Sequence, residues 1–254
     1  MNLEIGVAWA LGIVLATVRS GAFVIAGGLI PRSIPKTIRA SPAIAFGVLV
    51  AHPISSTSDA GALVVLAAMN GLIGIGLGWL LGLAVTPFQV AGSLLDMGSG
   101  LTAGALFDKE SHSSPGPVSK ITNLAGLTLI IAVGGLGLSA RVLDASVHAV
   151  ALDGKLNGFA VLGPVATQAV SRAMRAGIEL ALPITSVLFL AEIGFGLLSR
   201  LAPQINAFLV GLPLKLLTLL LLLGSFVVVF PATADRTIAD ALAMIRTALR
   251  TFGG

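Results

Sequence analysis

Residues 178–230 read IELALPITSVLFLAEIGFGLLSRLAPQINAFLVGLPLKLLTLLLLLGSFVVVF, two apolar runs (178–198 and 205–230) around the short segment 199–204. Each run reaches the roughly 20 residues a helix needs to cross a hydrocarbon core of about 30 Å. The pattern predicts an antiparallel pair of membrane-type helices turning near Leu201 to Ile205. Glu192 and Lys215 stand inside these runs. At 1.5 Å per residue they lie about 14 and 15 Å from the turn, at matching depth. A charge at mid-bilayer costs about 2.5–3.5 kcal/mol on insertion scales, so the two are expected to pair, directly or through water. A partner on another chain, or a water-filled lumen, is the other reading.

The rest of the chain has the same character. Of 254 residues only 10% are charged and 56% are apolar; a soluble domain carries about 25% charged residues. Mean hydropathy is +1.02. The fold class is all-α: a polytopic, membrane-associated set of helical hairpins with kinked or broken helices and a C-terminal amphipathic helix. Disorder is excluded, because disordered chains are polar and charge-rich. With no cysteine, no thiolate metal site or cysteine nucleophile is possible. The formal charge of +4 reads as basic residues at span ends facing anionic lipid. It comes with no nucleic-acid signature and no tyrosine, so no nucleic acid partner is expected.

Further apolar runs cover residues 5–30, 43–51, 60–107 and 121–140, the first interrupted by Arg19. The run 60–107 is about 72 Å long as one helix and must break, with Pro87 the expected place. Residues 107–120, FDKESHSSPGPVSK, read as a polar loop. Residues 141–175 are mixed, with Gly154, Gly158 and Pro164 as breakers. In the tail, Ile238, Leu242, Ile245, Leu249 and Phe252 share one face and Arg236, Asp240, Arg246 and Arg250 lie on others. That pattern predicts an amphipathic helix docked on the lipid surface, with a partner helix as the other occupant. Lys and Arg in the loops do not orient the chain: Arg32, Lys36, Arg39, Lys109, Lys120 and Arg200 oppose Arg141, Lys155, Arg172, Arg175 and the tail arginines.

Gly71, Gly74, Gly78 and Gly82 fall on one helix face, where small residues let another backbone approach closely. GLGLSA at 135–140 and GSGLTA at 98–103 match a loose dinucleotide fingerprint but sit in no βαβ unit. His52, His112 and His148 lack metal-ligand spacing. No catalytic site, cofactor or metal is expected. The informative charges are those inside apolar runs: Arg19, Asp96, Glu192 and Lys215, which are expected to face a bundle interior.

The hairpin sequence from Arg200 through Pro203, Gln204, Asn206, Phe208, Gly211 and Pro213 to Lys215 closely resembles the signature of the FliR family (SctT in virulence systems), the export-gate proteins of type III secretion. Arg19, Pro31, Ile34-Pro35 and Arg39 resemble that family's first-helix exit; Met97-Gly98 and Ala105-Leu106-Phe107-Asp108 resemble its central segment. There are two departures: Lys109 stands where members commonly have proline, and only Gly135 and Gly137 stand where a Gly-His pair often follows. The resemblance implies one export-gate domain over residues 1–254: N-terminal hairpins (1–106), a plug loop (107–120), C-terminal hairpins (121–232) and the amphipathic tail (233–254). It implies a non-enzymatic subunit of the bacterial flagellar export gate in the inner membrane at the basal body. FliP-type and FliQ-type subunits and an FlhB-type switch protein would be its partners, and unfolded secreted proteins would pass through it. Met97, Gly98, Phe107, Asp108, Lys109, Glu110, Ser111 and His112 would belong to the plug. The alternative is a secondary transporter with Arg19, Glu192 and Lys215 lining a solute path; no inverted repeat is visible to support it.

Overall fold

The computed structural model describes residues 2–28, 35–54, 60–102, 115–154, 159–202, 204 and 207–253. Among them are nine α-helices and no strand: α1 Asn2–Gly27, α2 Lys36–Val50, α3 Ala60–Gly82, α4 Thr86–Ser99, α5 Pro117–Ala132, α6 Gly135–Ala149, α7 Phe159–Leu201, α8 Ala207–Leu223 and α9 Phe226–Gly253. Three segments are long and apolar enough to cross a membrane: Gly6–Gly27, Ala60–Gly82 and Gly163–Leu201. Counting α5 with α6 and α8 with α9 as broken spans raises the number to five. This is a membrane protein built from helices.

The breaks follow local chemistry. The long run after Ala60 does break, but at residues 83–85, one turn before the expected place. Pro87 sits in the first turn of α4, where its missing N–H costs nothing and its fixed φ favours the new helix. The run 121–140 is not one helix: Gly134, at φ +97°, separates α5 from α6, a conformation that glycine adopts without strain. Pro164 is no breaker, since α7 passes through both it and Pro183; two lost hydrogen bonds are a small part of a helix of 43 residues.

The tail also differs from expectation. Its helix starts at Phe226, and Ile238, Ile245 and Leu249 are 7%, 1% and 8% exposed. Ala234, Ala241 and Ala248 recur on the same side, all buried, and their small side chains allow close packing. The apolar face is covered by the protein itself, which overturns docking of that face on a lipid surface.

The chain divides into two compact units. One comprises Met1–Ala84, Ile131–Val170 and Ile238–Gly254; the other Val85–Ile130 and Ser171–Thr237. In the first, α1 packs closely on α3 through the glycine row. A Cβ on Gly74 would collide with the Arg19 carbonyl, one on Gly78 with the Phe23 carbonyl, and one on Gly82 with the Gly27 carbonyl at 2.7 Å. Gly71 is looser, with Val18 Cγ1 at 3.8 Å. On another side of α1, Ser20 Oγ donates to the Ala43 carbonyl of α2 at 2.6 Å. In the second unit, Phe88 stacks edge-on against Phe230, which also meets Phe226. Gly126 lies so close to the Phe88 ring that an added Cβ would overlap it.

Candidate functional site

The second unit contains an open groove of about 590 Å³ where the end of α4 meets the α7–α8 hairpin. Met97, Gly98 and Gly100 form one wall; Glu192, Phe195 and Gly196 of α7 and Gly211, Leu212 and Lys215 of α8 form the others. Gly98 brings the α4 backbone onto Leu188, whose Cδ1 is 3.4 Å from the position of an added Cβ. Gly211 does the same for α8 against the Phe195 ring at 3.3 Å. Gly100 ends α4 in the left-handed conformation, φ +82°, with its N–H donating to the Met97 carbonyl at 3.2 Å. That is a glycine cap of the usual kind.

The groove carries one ion pair. Lys215 Nζ donates to Glu192 Oε2 at 2.5 Å. The Lys215 side chain is 14% exposed and that of Glu192 64%, so the ammonium is sheltered while the carboxylate reaches the open side. Because the groove is open, the pair is partly hydrated and its net stabilisation is small. Its chemical consequence is that opposite charges stand side by side in a largely apolar recess.

Just upstream of the groove, Asp96 fastens α4 to the start of α5. The residue is 1% exposed, and its two carboxylate oxygens accept from the backbone N–H groups of Val118 at 3.0 Å and Ser119 at 2.8 Å. These are donors that a helix N-terminus leaves without intrahelical partners. Gly116 precedes Pro117 and has no side chain to cap them, so a carboxylate from another helix does it. The same glycine makes room: an added Cβ there would collide with the Asp96 carboxylate. Alongside, Gln89 Nε2 donates to Asn123 Oδ1 at 2.8 Å.

In the first unit, Arg19 is 1% exposed. Its Nε donates to Asn70 Oδ1 at 2.9 Å, and its Nη1 to the carbonyls of Ser146 and Val150, each at 3.0 Å. Those carbonyls end α6, the negative end of its macrodipole, so backbone dipoles partly offset the guanidinium charge in place of a carboxylate, while the buried Nη2 has no hydrogen-bond partner among the described residues. Asn70 Nδ2 donates onward to the carbonyls of Leu66 and Leu152. Arg19 therefore staples α1, α3 and the end of α6 together.

Residues 10–241 match the family model for bacterial export proteins, family 1. The chain belongs to this family. Among its relatives, the flagellar biosynthetic protein FliR of Escherichia coli (strain K12) is 30% identical over 213 residues, covering 82% of this chain and 78% of the relative. FliR of Caulobacter vibrioides is 27% identical over 218 residues, 83% and 86% of the two chains. The surface presentation of antigens protein SpaR of Salmonella typhimurium is 28% identical over 154 residues, 61% and 57%.

Within this export-family chain the structure joins two groups that the sequence treats separately. Met97 and Gly98, assigned to the plug, share the groove with Glu192 and Lys215. Of the hairpin signature, Gly211 and Lys215 line the groove, while Arg200, Gln204 and Pro213 are exposed. Pro203 and Asn206 lie outside the described residues, as do Phe107, Asp108, Lys109, Glu110, Ser111 and His112, and nothing is described of the Phe208 side chain. Sequence reasoning misses the capping role of Asp96 and the bridging role of Asn70. It also misses the approach of His52 to His148, whose rings stack edge-on with centroids 5.7 Å apart.

Proposed function

We propose that this chain is a subunit of the bacterial flagellar type III protein export gate, helping to form the channel through which unfolded flagellar proteins cross the inner membrane at the basal body. The observation that carries the reading is the family match over residues 10–241 together with identity spanning most of both chains with FliR. The flagellar version is favoured over the injectisome one because the FliR relatives from Escherichia coli and Caulobacter vibrioides cover more of this chain, 82% and 83%, than SpaR of Salmonella typhimurium, 61%. FliP-type and FliQ-type subunits complete the assembly and an FlhB-type switch protein binds it. The chain works as part of a conduit and not as a catalyst; a separate ATPase and the proton motive force supply energy. The segment from Met97 and Gly98 through Phe107 to His112 closes the channel at rest. Supporting this assignment are the resemblance and the glycine-capped end of α4 at Gly100.

Nothing in the comparisons supports the transporter reading, and the burial of Arg19 removes one of its three path residues. Deleting the gene tests the proposal: motility and filament export are lost and return on complementation. Loss of virulence-effector secretion with motility intact would assign the injectisome instead, and retention of both would contradict the proposal. Shortening the loop at 107–120 should leave assembly intact and make the membrane leak ions; a fully tight membrane would rule out the plug.

A further inference from the structure

His52 and His148 lie far apart in sequence, yet the fold of the first unit brings their rings together, with centroids 5.7 Å apart and planes at 82°. His52 follows α2 in the stretch 51–54, which rests on α1. A Cβ on Gly12 would collide with the His52 carbonyl, and the Ile54 N–H donates to the Ala8 carbonyl at 3.3 Å. His148 stands in the last turn of α6. Each ring is held in the same way: His52 Nδ1 faces the Val50 carbonyl at 3.0 Å, and His148 Nδ1 the Asp144 carbonyl at 2.9 Å. A carbonyl can only accept, so each Nδ1 carries the proton and each neutral ring keeps its lone pair on Nε2.

That is how a metal-bound histidine is held, its other ring N–H fixed by a backbone carbonyl or a carboxylate. Here two rings show it side by side. Imidazoles sharing one ion at a metal–nitrogen distance of about 2.0–2.1 Å have centroids roughly 5–6.5 Å apart, so the backbones already set the separation an ion needs. Both residues are exposed, and rotation of the rings aims both lone pairs at one point. The electrostatics favour a cation. The carbonyl end of α6 is negative, and the Asp144 carboxylate is 3.7 Å from His148 Nδ1. Arg19 takes the Ser146 and Val150 carbonyls from the buried side, which leaves the outer side to the ion. Among the described residues no third His, Asp or Glu joins the pair as a ligand, so water completes the shell.

We propose that His52 and His148 bind a zinc ion through their Nε2 atoms, with water in the remaining positions. Imidazole suits zinc and copper alike, which makes copper(II) a usable probe of the same site. The ion ties the exit of α2 to the end of α6 on the outside, as Arg19 ties α1 to that end on the inside. The site lies within the first unit and does not depend on the export reading.

The test is zinc titration of the full chain in mild detergent, purified without a histidine tag, with copper(II) as the spectroscopic probe. Wild type should bind one zinc ion, and copper(II) in its place should show magnetic coupling to two imidazole nitrogens. His52→Phe and His148→Phe keep a ring where each ligand stood and should each weaken zinc binding at least about tenfold. His112→Ala, which removes the third histidine of the chain, should bind as wild type. Zinc at about 100 times its dissociation constant should raise the unfolding temperature of wild type by roughly 5–10 °C, and that of the Phe variants at most about half as much. No zinc bound by wild type, one nitrogen in the copper spectrum, or unchanged affinity in either Phe variant would overturn the site. So would binding lost in His112→Ala, or an equal thermal shift in the Phe variants.

Discussion

Lys215 and Glu192, 23 residues apart in sequence, meet across the α7–α8 hairpin with the lysine sheltered and the glutamate reaching out. The asymmetry sets the order of mutational effects. Glu192→Gln leaves a sheltered ammonium without its carboxylate and should lower stability by about 1 kcal/mol. Lys215→Met removes the sheltered charge and should cost less than about 0.5 kcal/mol. The double variant should lose only about 0.5 kcal/mol, a coupling of about 0.5–1 kcal/mol after screening on the open side. Thermal unfolding of the solubilised protein measures all three; strictly additive losses would mean that the pair contributes nothing.

Asp96 and Gly116 form a second coupled pair, through space instead of charge. Asp96→Ala removes two charge-assisted hydrogen bonds at the start of α5 and should cost about 2–4 kcal/mol. Gly116→Ala drives a methyl into that carboxylate and should be similarly damaging in the wild-type background. In the Asp96→Ala background the obstructing atoms are gone, so the added cost of Gly116→Ala should shrink markedly. Equal costs in the two backgrounds would show that the carboxylate does not occupy this place.

For Arg19 the fork matters as much as the charge. Lysine carries the same charge but cannot reach Asn70 and the α6 carbonyls together, so Arg19→Lys should cost about 2–4 kcal/mol. Asn70→Ala should give a smaller loss in the same direction. Susceptibility to proteolysis in isolated membranes reads this out; a lysine variant as resistant as wild type would contradict the staple.

The glycine row predicts a gradient. Gly74→Ala and Gly78→Ala press a methyl on an α1 carbonyl and should cost about 2–3 kcal/mol or more. Gly71→Ala meets only a side-chain methyl, and Gly76→Ala meets nothing within 4 Å. Both should be neutral or stabilise by up to about 1 kcal/mol through helix propensity. Relative abundance of the four variants in the membrane checks the order.

These four cases also show what a sequence discloses. The hairpin and its ion pair are legible because helix rise converts residue number into depth, and the glycine row because helical periodicity places small residues on one face. Asp96 and Arg19 are legible only as anomalies. Apart from Asn70, their partners are backbone N–H and C=O groups, which every residue carries and which leave no compositional trace. The Arg19 partners Ser146 and Val150 are also 127 and 131 positions away. Gly134 hides its break because glycine is common throughout this chain, with 31 in all. The tail misleads for a related reason: an amphipathic stripe shows that one face is covered, and the buried alanines that reveal a protein cover look unremarkable in sequence.

Membership in a multi-chain export gate is the central claim, and one purification tests it most directly. The chain, affinity-tagged and expressed at its native level, is extracted in mild detergent, and the complex is sized and its subunits identified. The account predicts a single large, stable assembly containing FliP-type and FliQ-type subunits with this chain. Recovery as a monomer or as a small homo-oligomer, with neither subunit present, would contradict it.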